Sequence, residues 1–175
     1  MAPVRLLGVL PKATSLFGRE LRTLVKAVGV AHLIHEFVFE LSIAYGPSMM
    51  PTIDSIGDVL VVDKWSAWRR KIEVGDVVLA LSARTPHDRI IKRVLGMEGD
   101  IVRVLPTSRR PEGGGKQLVP PGHVWLQGDN TLNSTDSRDF GPVPYNMVLG
   151  RVVFKIAPLG KMGFIERKIP EPWYG

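Results

Sequence analysis

Arg89-Ile90-Ile91-Lys92-Arg93-Val94-Leu95-Gly96 sets two cations inside an apolar, strand-forming run. Along a strand successive side chains alternate in direction, so Lys92 and Arg93 point to opposite faces. One reading is an edge strand from which both cations reach into solvent. The sharper reading turns Lys92 inward, where desolvation lowers its pKa until the neutral amine can act as a base at physiological pH. A buried lysine is costly, so a β-domain with one facing its core needs a functional reason for it.

The surrounding sequence is β-rich. Residues 59–63, 77–81, 90–95, 101–105, 123–126 and 148–156 read as strands rich in Val, Ile and Leu. Gly-Asp pairs at 57–58, 75–76, 99–100 and 128–129 punctuate them, and the aspartates of the first three read as turn chemistry. Residues 107–116 form a polar, glycine-rich loop. No strand-to-helix context surrounds it, so it is not a phosphate cradle.

Upstream lies Gly46-Pro47-Ser48-Met49-Met50-Pro51-Thr52. The prolines fix φ and remove N–H donors, giving a stiff turn that presents one hydroxyl in a set direction. Ser48 is a candidate nucleophile, and the plainer alternative is a linker. A nucleophilic hydroxyl needs a neighbour that takes its proton. His32 and His35 belong to an apolar segment, and His87 and His123 lie in polar turns without a motif. A Ser-x-x-Lys arrangement cannot start at Ser48, because Met49, Met50 and Pro51 follow it. Lys92 is the better base. A third block, Gly128-Asp129-Asn130-Thr131-Leu132-Asn133-Ser134-Thr135-Asp136-Ser137-Arg138-Asp139-Phe140-Gly141-Pro142-Val143-Pro144, is dense in donors and acceptors between apolar strands. Such a block suits either a surface loop or a polar network around a buried ammonium.

The bulk composition is compatible with this picture. With 175 residues, 45% hydrophobic and 23% charged, the chain has the length and balance for one globular domain and an appendage. The absence of cysteine rules out disulfides, a thiolate nucleophile and Cys-ligated metal. A formal net charge of +6 suits an anionic membrane surface or nucleic acid. Arg69-Arg70-Lys71 and Arg109-Arg110 read as solvated charges, with no nucleic acid expected. The N-terminal thirty residues set Arg5, Lys12, Arg19, Arg22 and Lys26 against Glu20 alone.

From residue 24 to 45, 15 of 22 residues are apolar and none is proline. As a helix this stretch would be roughly 33 Å long, about a hydrocarbon core. Lys26, His32, His35, Glu36 and Glu40 interrupt it. Three readings stand: a single anchor whose polar stripe meets a partner helix, an interfacial helix, or a soluble amphipathic one. His32-Leu33-Ile34-His35-Glu36 lacks the order of the zinc-protease motif, so no metal is expected there. The domain reading is a basic N-terminus with a membrane-associated helix over 1–45, a catalytic domain over 46–160 and a loosely held tail over 161–175.

The three blocks, in this order and at these separations, resemble the type I signal peptidases, a family of Ser-Lys proteases. The likeness covers about residues 45 to 159. It implies a mainly β fold, a coiled antiparallel β-sheet catalytic domain carrying one N-terminal apolar helix. It implies Ser48 as nucleophile, Lys92 as general base, Ser134 as the residue that orients the amine, and Asp136 with Arg138 as a supporting pair, with no cofactor. The substrates implied are precursor proteins with leader peptides, bound as extended strands. The short chain and the wording of the third block are similar to the mitochondrial inner-membrane branch. That likeness implies a catalytic domain in the intermembrane space, membrane lipid as a partner and a heterodimer with a related second protease subunit. A short bacterial signal peptidase, a self-cleaving repressor-type Ser-Lys peptidase and a catalytically idle β-module remain as alternatives. Many bacterial members carry a serine where this chain has Gly46. An oxyanion would then depend on backbone N–H groups, chiefly that of Ser48, since Pro47 has none.

Overall fold

The computed structural model describes residues 11–85 and 87–168. It divides into two units, an N-terminal one ending at Phe37 and a β-built one beginning at Val38. The first is helix α1 (Pro11–Phe37), whose opening proline occupies a position where a missing N–H costs nothing. Its residues 18–34 are all exposed. Among the described residues no helix is long and apolar enough to cross a membrane.

The helix that the sequence suggests over 24–45 stops at Phe37, and Phe39–Tyr45 is strand β1. Phe39-Glu40-Leu41-Ser42-Ile43-Ala44-Tyr45 alternates with a period of two, which a helix cannot place on one face. β1 pairs antiparallel with β2 (Ile56–Asp63), from Phe39 opposite Asp63 to Tyr45 opposite Ile56. The β-built unit therefore starts upstream of residue 46.

The short helix α2 (Lys64–Trp68) follows, capped by the Asp63 carboxylate on the Ser66 N–H at 3.2 Å. Next come β3 (Val77–Leu81), β4 (Arg89–Gly96), β5 (Ile101–Val104), β6 (Gly115–Leu118) and β7 (His123–Gln127). Helix α3 (Ser137–Phe140), β8 (Val143–Pro144), β9 (Val148–Ala157) and β10 (Gly163–Phe164) complete the unit. The six strands read from the sequence are all present. β6 emerges from the end of the expected glycine-rich loop, paired with β5.

The main sheet is antiparallel throughout, in the order β1-β2-β9-β3-β4-β7-β8 with β10 on β9. Register shifts in the β1–β2, β2–β9, β3–β9 and β4–β7 pairs curl it. β3 is buried on both faces. Val78 and Ala80 pack with Val94, Val124, Leu126 and Val143 on one side. Val77 and Leu79 pack with Leu60, Val62 and Val152 on the other, and this second cluster also takes in Met49 and Ile53. Met49 closes the serine turn and Ile53 follows it, so the turn is nailed to the core rather than hung from it.

Residues 163–168 are more firmly held than a loose tail. Gly163 and Phe164 pair with Lys155 and Phe154, and the Glu166 carbonyl accepts from Arg93 Nη1 at 3.1 Å. Arg167 Nε donates to buried Asp76 at 2.8 Å. The last residues of the expected tail, 169–175, lie outside the described residues.

Candidate active site

Ser48 sits in a single 3-10 turn, Pro47–Met49, entered through Gly46 at φ 95°. That backbone conformation strains any residue with a Cβ, which accounts for a glycine here. The Gly46 N–H donates to Ser55 O at 2.7 Å and closes the loop. Pro47 has no N–H, and the N–H groups at the start of a helical turn have no partner within it, so that of Ser48 lies at such a start.

Lys92 lies on β4 opposite Val78 and is 4% exposed, with its Nζ 2.7 Å from Ser48 Oγ. It does not reach for solvent. Burial lowers its pKa from 10.5 to about 8. The Asp136 and Asp129 carboxylates act against that shift, while Arg138 adds to it. Desolvation wins, and a substantial share of the amine is neutral near pH 8.

The third block wraps behind this pair. Asp136 and Arg138 form a buried bidentate pair, Nε to Oδ1 and Nη2 to Oδ2, both 2.9 Å. Asp136 also caps α3 and accepts the Gly128 N–H at 3.0 Å, and Arg138 Nη1 donates to Thr131 O at 2.9 Å. Ser134 and the Ser48 carbonyl both crowd Gly128: a Cβ built on Gly128 would stand 2.3 Å from Ser134 Oγ and 2.5 Å from Ser48 O. The Ser134 hydroxyl is buried without a hydrogen-bond partner among the described residues, so the expected bond to the Lys92 amine is not formed here.

A second polar group supports the turn. Fully buried Arg93 grips Asp129 in a fork, Nε to Oδ1 at 2.8 Å and Nη2 to Oδ2 at 2.7 Å, and donates to Gly75 O at 2.7 Å. Thr52 Oγ1 donates to Asp129 Oδ2 at 2.5 Å. Next along, the Asn130 N–H donates to Ser48 O at 3.0 Å and its Nδ2 to Pro47 O at 3.1 Å. Sequence reasoning missed Arg93, Asp129, Thr52 and Asn130 as site residues. A signal existed: of the four Gly-Asp pairs, only 128–129 is not followed by an apolar run.

A groove of about 240 Å³ opens beside the pair, lined by residues 42–45 of β1, residues 89–92 of β4, and Gly46, Ser48, Met49, Ile53 and Leu79. β1 is a sheet edge, and β4 pairs with β7 only from Arg93 onward. Two unpaired strand margins therefore border the groove. Among the described residues no three of His, Asp and Glu converge as metal ligands.

The sequence model of the family described as signal peptidase, peptidase S26, matches residues 18–109 and 105–157, most of the chain. The chain belongs to this family. As a member of the S26 signal peptidases it is a peptidase with a curled antiparallel catalytic sheet. It is 42% identical over 159 residues to the mitochondrial inner membrane protease subunit 1 of Mus musculus, covering 91% of this chain and 92% of that protein. The corresponding subunit 1 of Schizosaccharomyces pombe is 39% identical over 135 residues, 77% of this chain and 83% of that protein. A mitochondrial inner membrane protease subunit 2, from Danio rerio, is 38% identical over 124 residues, 71% of this chain and 65% of that protein.

Proposed function

We propose that this S26 peptidase removes leader peptides from precursor proteins at the mitochondrial inner membrane, with Ser48 as nucleophile and Lys92 as general base. The observation that carries the reading is the 2.7 Å approach of a buried lysine amine to the hydroxyl of a core-anchored turn. When Lys92 is neutral, the Ser48 hydroxyl donates to Nζ. Oγ attacks the scissile carbonyl, its proton passes to Nζ, and the oxyanion takes hydrogen bonds from backbone donors, chiefly the Ser48 N–H. Collapse breaks the C–N bond, and Nζ gives the proton to the leaving amine. A water then attacks the acyl-enzyme, yields a proton to Nζ and releases the new carboxyl end, and the proton returns to Oγ.

The unpaired margins of β1 and β4 suit a precursor segment in extended form, held by backbone hydrogen bonds. Asp136 with Arg138 is assigned the upkeep of the wall behind the dyad; Ser134, which makes no bond to the amine in this structure, keeps its assignment to orient it on the family resemblance alone. On this reading the β-built unit works in the intermembrane space beside a related second subunit, and the chain before Val38 is its membrane-associated region. The test is reconstitution of the full chain with its membrane partners and a leader-bearing precursor. Ser48→Ala and Lys92→Met should each abolish cleavage, and unchanged cleavage by either would sink the dyad.

A further inference from the structure

Helix α2 forms an aromatic and basic corner that catalysis leaves unused. Trp65 and Trp68 are 43% and 72% exposed, their ring centroids 4.9 Å apart. Two neighbouring tryptophans left in water on one short helix forgo burial that most such side chains find. Residues 64–71 also contain Lys64, Arg69, Arg70 and Lys71 and no acid. Arg69 lies over the Trp65 ring at 5.4 Å and Arg70 over Tyr145 at 5.2 Å. Residues 69–71 are all exposed. The acids that border the corner are engaged: Asp63 caps α2, Glu40 pairs with Arg89 and with Lys64, and Glu73 pairs with Arg167.

Within the β-built unit, the Lys64 N–H donates to Val38 O at 2.8 Å. The corner thus sits at the residue where the chain enters from its N-terminal segment, and exposed Phe39 pairs opposite Asp63 there. Tryptophan is the side chain that settles at the headgroup level of a bilayer, and lysine or arginine near an anionic leaflet adds attraction. A protein partner would also accept tryptophan and arginine, but the exposed run Arg69-Arg70-Lys71, with no acid within it, complements an anionic surface.

We propose that Trp65 and Trp68, with Arg69 and Lys71 beside them, dock the β-built unit onto an anionic phospholipid surface. This rests on the membrane location proposed above. It orients the unit so that the α2 corner is pressed to the headgroups.

The test uses the full chain reconstituted into phosphatidylcholine vesicles, with or without phosphatidylglycerol, carrying lipids brominated high on their acyl chains. Tryptophan fluorescence should be quenched in the anionic vesicles. Most of that quenching should vanish in Trp65→Phe/Trp68→Phe, and in wild type it should weaken severalfold in neutral lipid or high salt. Arg69→Gln/Lys71→Gln, altered only at exposed positions, should lower the quenching by about fivefold or more. Equal quenching in neutral vesicles, quenching that survives the tryptophan replacements, or none in wild type overturns the proposal; the last would mark the corner as a protein contact. Cleavage of a soluble peptide in detergent should be unchanged in both variants. A failed lipid contact is thereby separable from a failed Ser48–Lys92 dyad.

Discussion

The Asn130 N–H donates to the carbonyl of Ser48 at 3.0 Å, tying the peptide of the proposed nucleophile to the loop that follows β7. The direction of the hydroxyl is thus set from two sides. Met49 and Ile53 pin the turn to the core, and the Gly128–Asn130 corner holds it from above.

The rate should depend on pH through Lys92. Since burial lowers its pKa to about 8, kcat/KM should fall about tenfold per pH unit well below that value and level off above it. A profile of kcat/KM against pH on a peptide substrate checks this, and a maximum at pH 5 would contradict it. Lys92→Arg should be inactive at every pH tested, because a guanidinium keeps its proton.

The same shift predicts a stability effect. The folded pKa lies below the ordinary 10.5, so between about pH 8 and 10.5 the unfolded chain binds more protons and stability rises with pH. Below that window the wild type bears the whole cost of a buried charge. Lys92→Met should therefore be more stable than wild type at pH 7, by roughly 1–3 kcal/mol, and the gap should narrow by pH 10. Urea unfolding at the two pH values reads this directly.

Gly128→Ala should reduce kcat by at least about a hundredfold, as expected of a misplacement near 1 Å at a reacting group. The added methyl would overlap Ser134 Oγ and the Ser48 carbonyl. Circular dichroism should show the sheet retained. Activity near that of wild type would mean the loop yields without moving Ser48.

Arg138→Ala should destabilise the protein by about 3–5 kcal/mol, because it strands a buried carboxylate. Asp136→Asn/Arg138→Met should cost much less than the sum of its single changes, as a double-mutant cycle in urea would show.

Arg93→Lys tests the second network. A lysine cannot reproduce a fork that engages both Asp129 oxygens and a carbonyl together. The variant should lose kcat more than it raises KM, because the turn bearing Ser48 shifts while the groove remains.

Ser48 and Lys92 stand out within their own stretches, a proline-bracketed turn and a cation inside an apolar strand, whereas Asp136 and Arg138 were singled out only through the resemblance of the third block to the signal peptidases. β1 was not, because Phe37-Val38-Phe39 joins helix and strand in one apolar run with no glycine or proline to mark the change. Its alternation is also inverted relative to a core strand: Leu41, Ile43 and Tyr45 are exposed while Ala44 is buried. The Arg93–Asp129 pair spans 36 residues of sequence. Only the sheet brings it together: the missing apolar run after Gly128-Asp129 marks the aspartate, but nothing local names Arg93 as its partner.

Lys92 and Arg93 are consecutive, both buried, and opposed across one strand. A slip of β4 by a single residue would exchange them. The serine would then face a cation that keeps its proton, and Asp129 a single ammonium in place of a fork. Reactivity in this chain is thus a matter of odd and even. The β3–β4 register therefore also decides which cation meets Ser48, and under the proposed mechanism a misregistered chain would be inert.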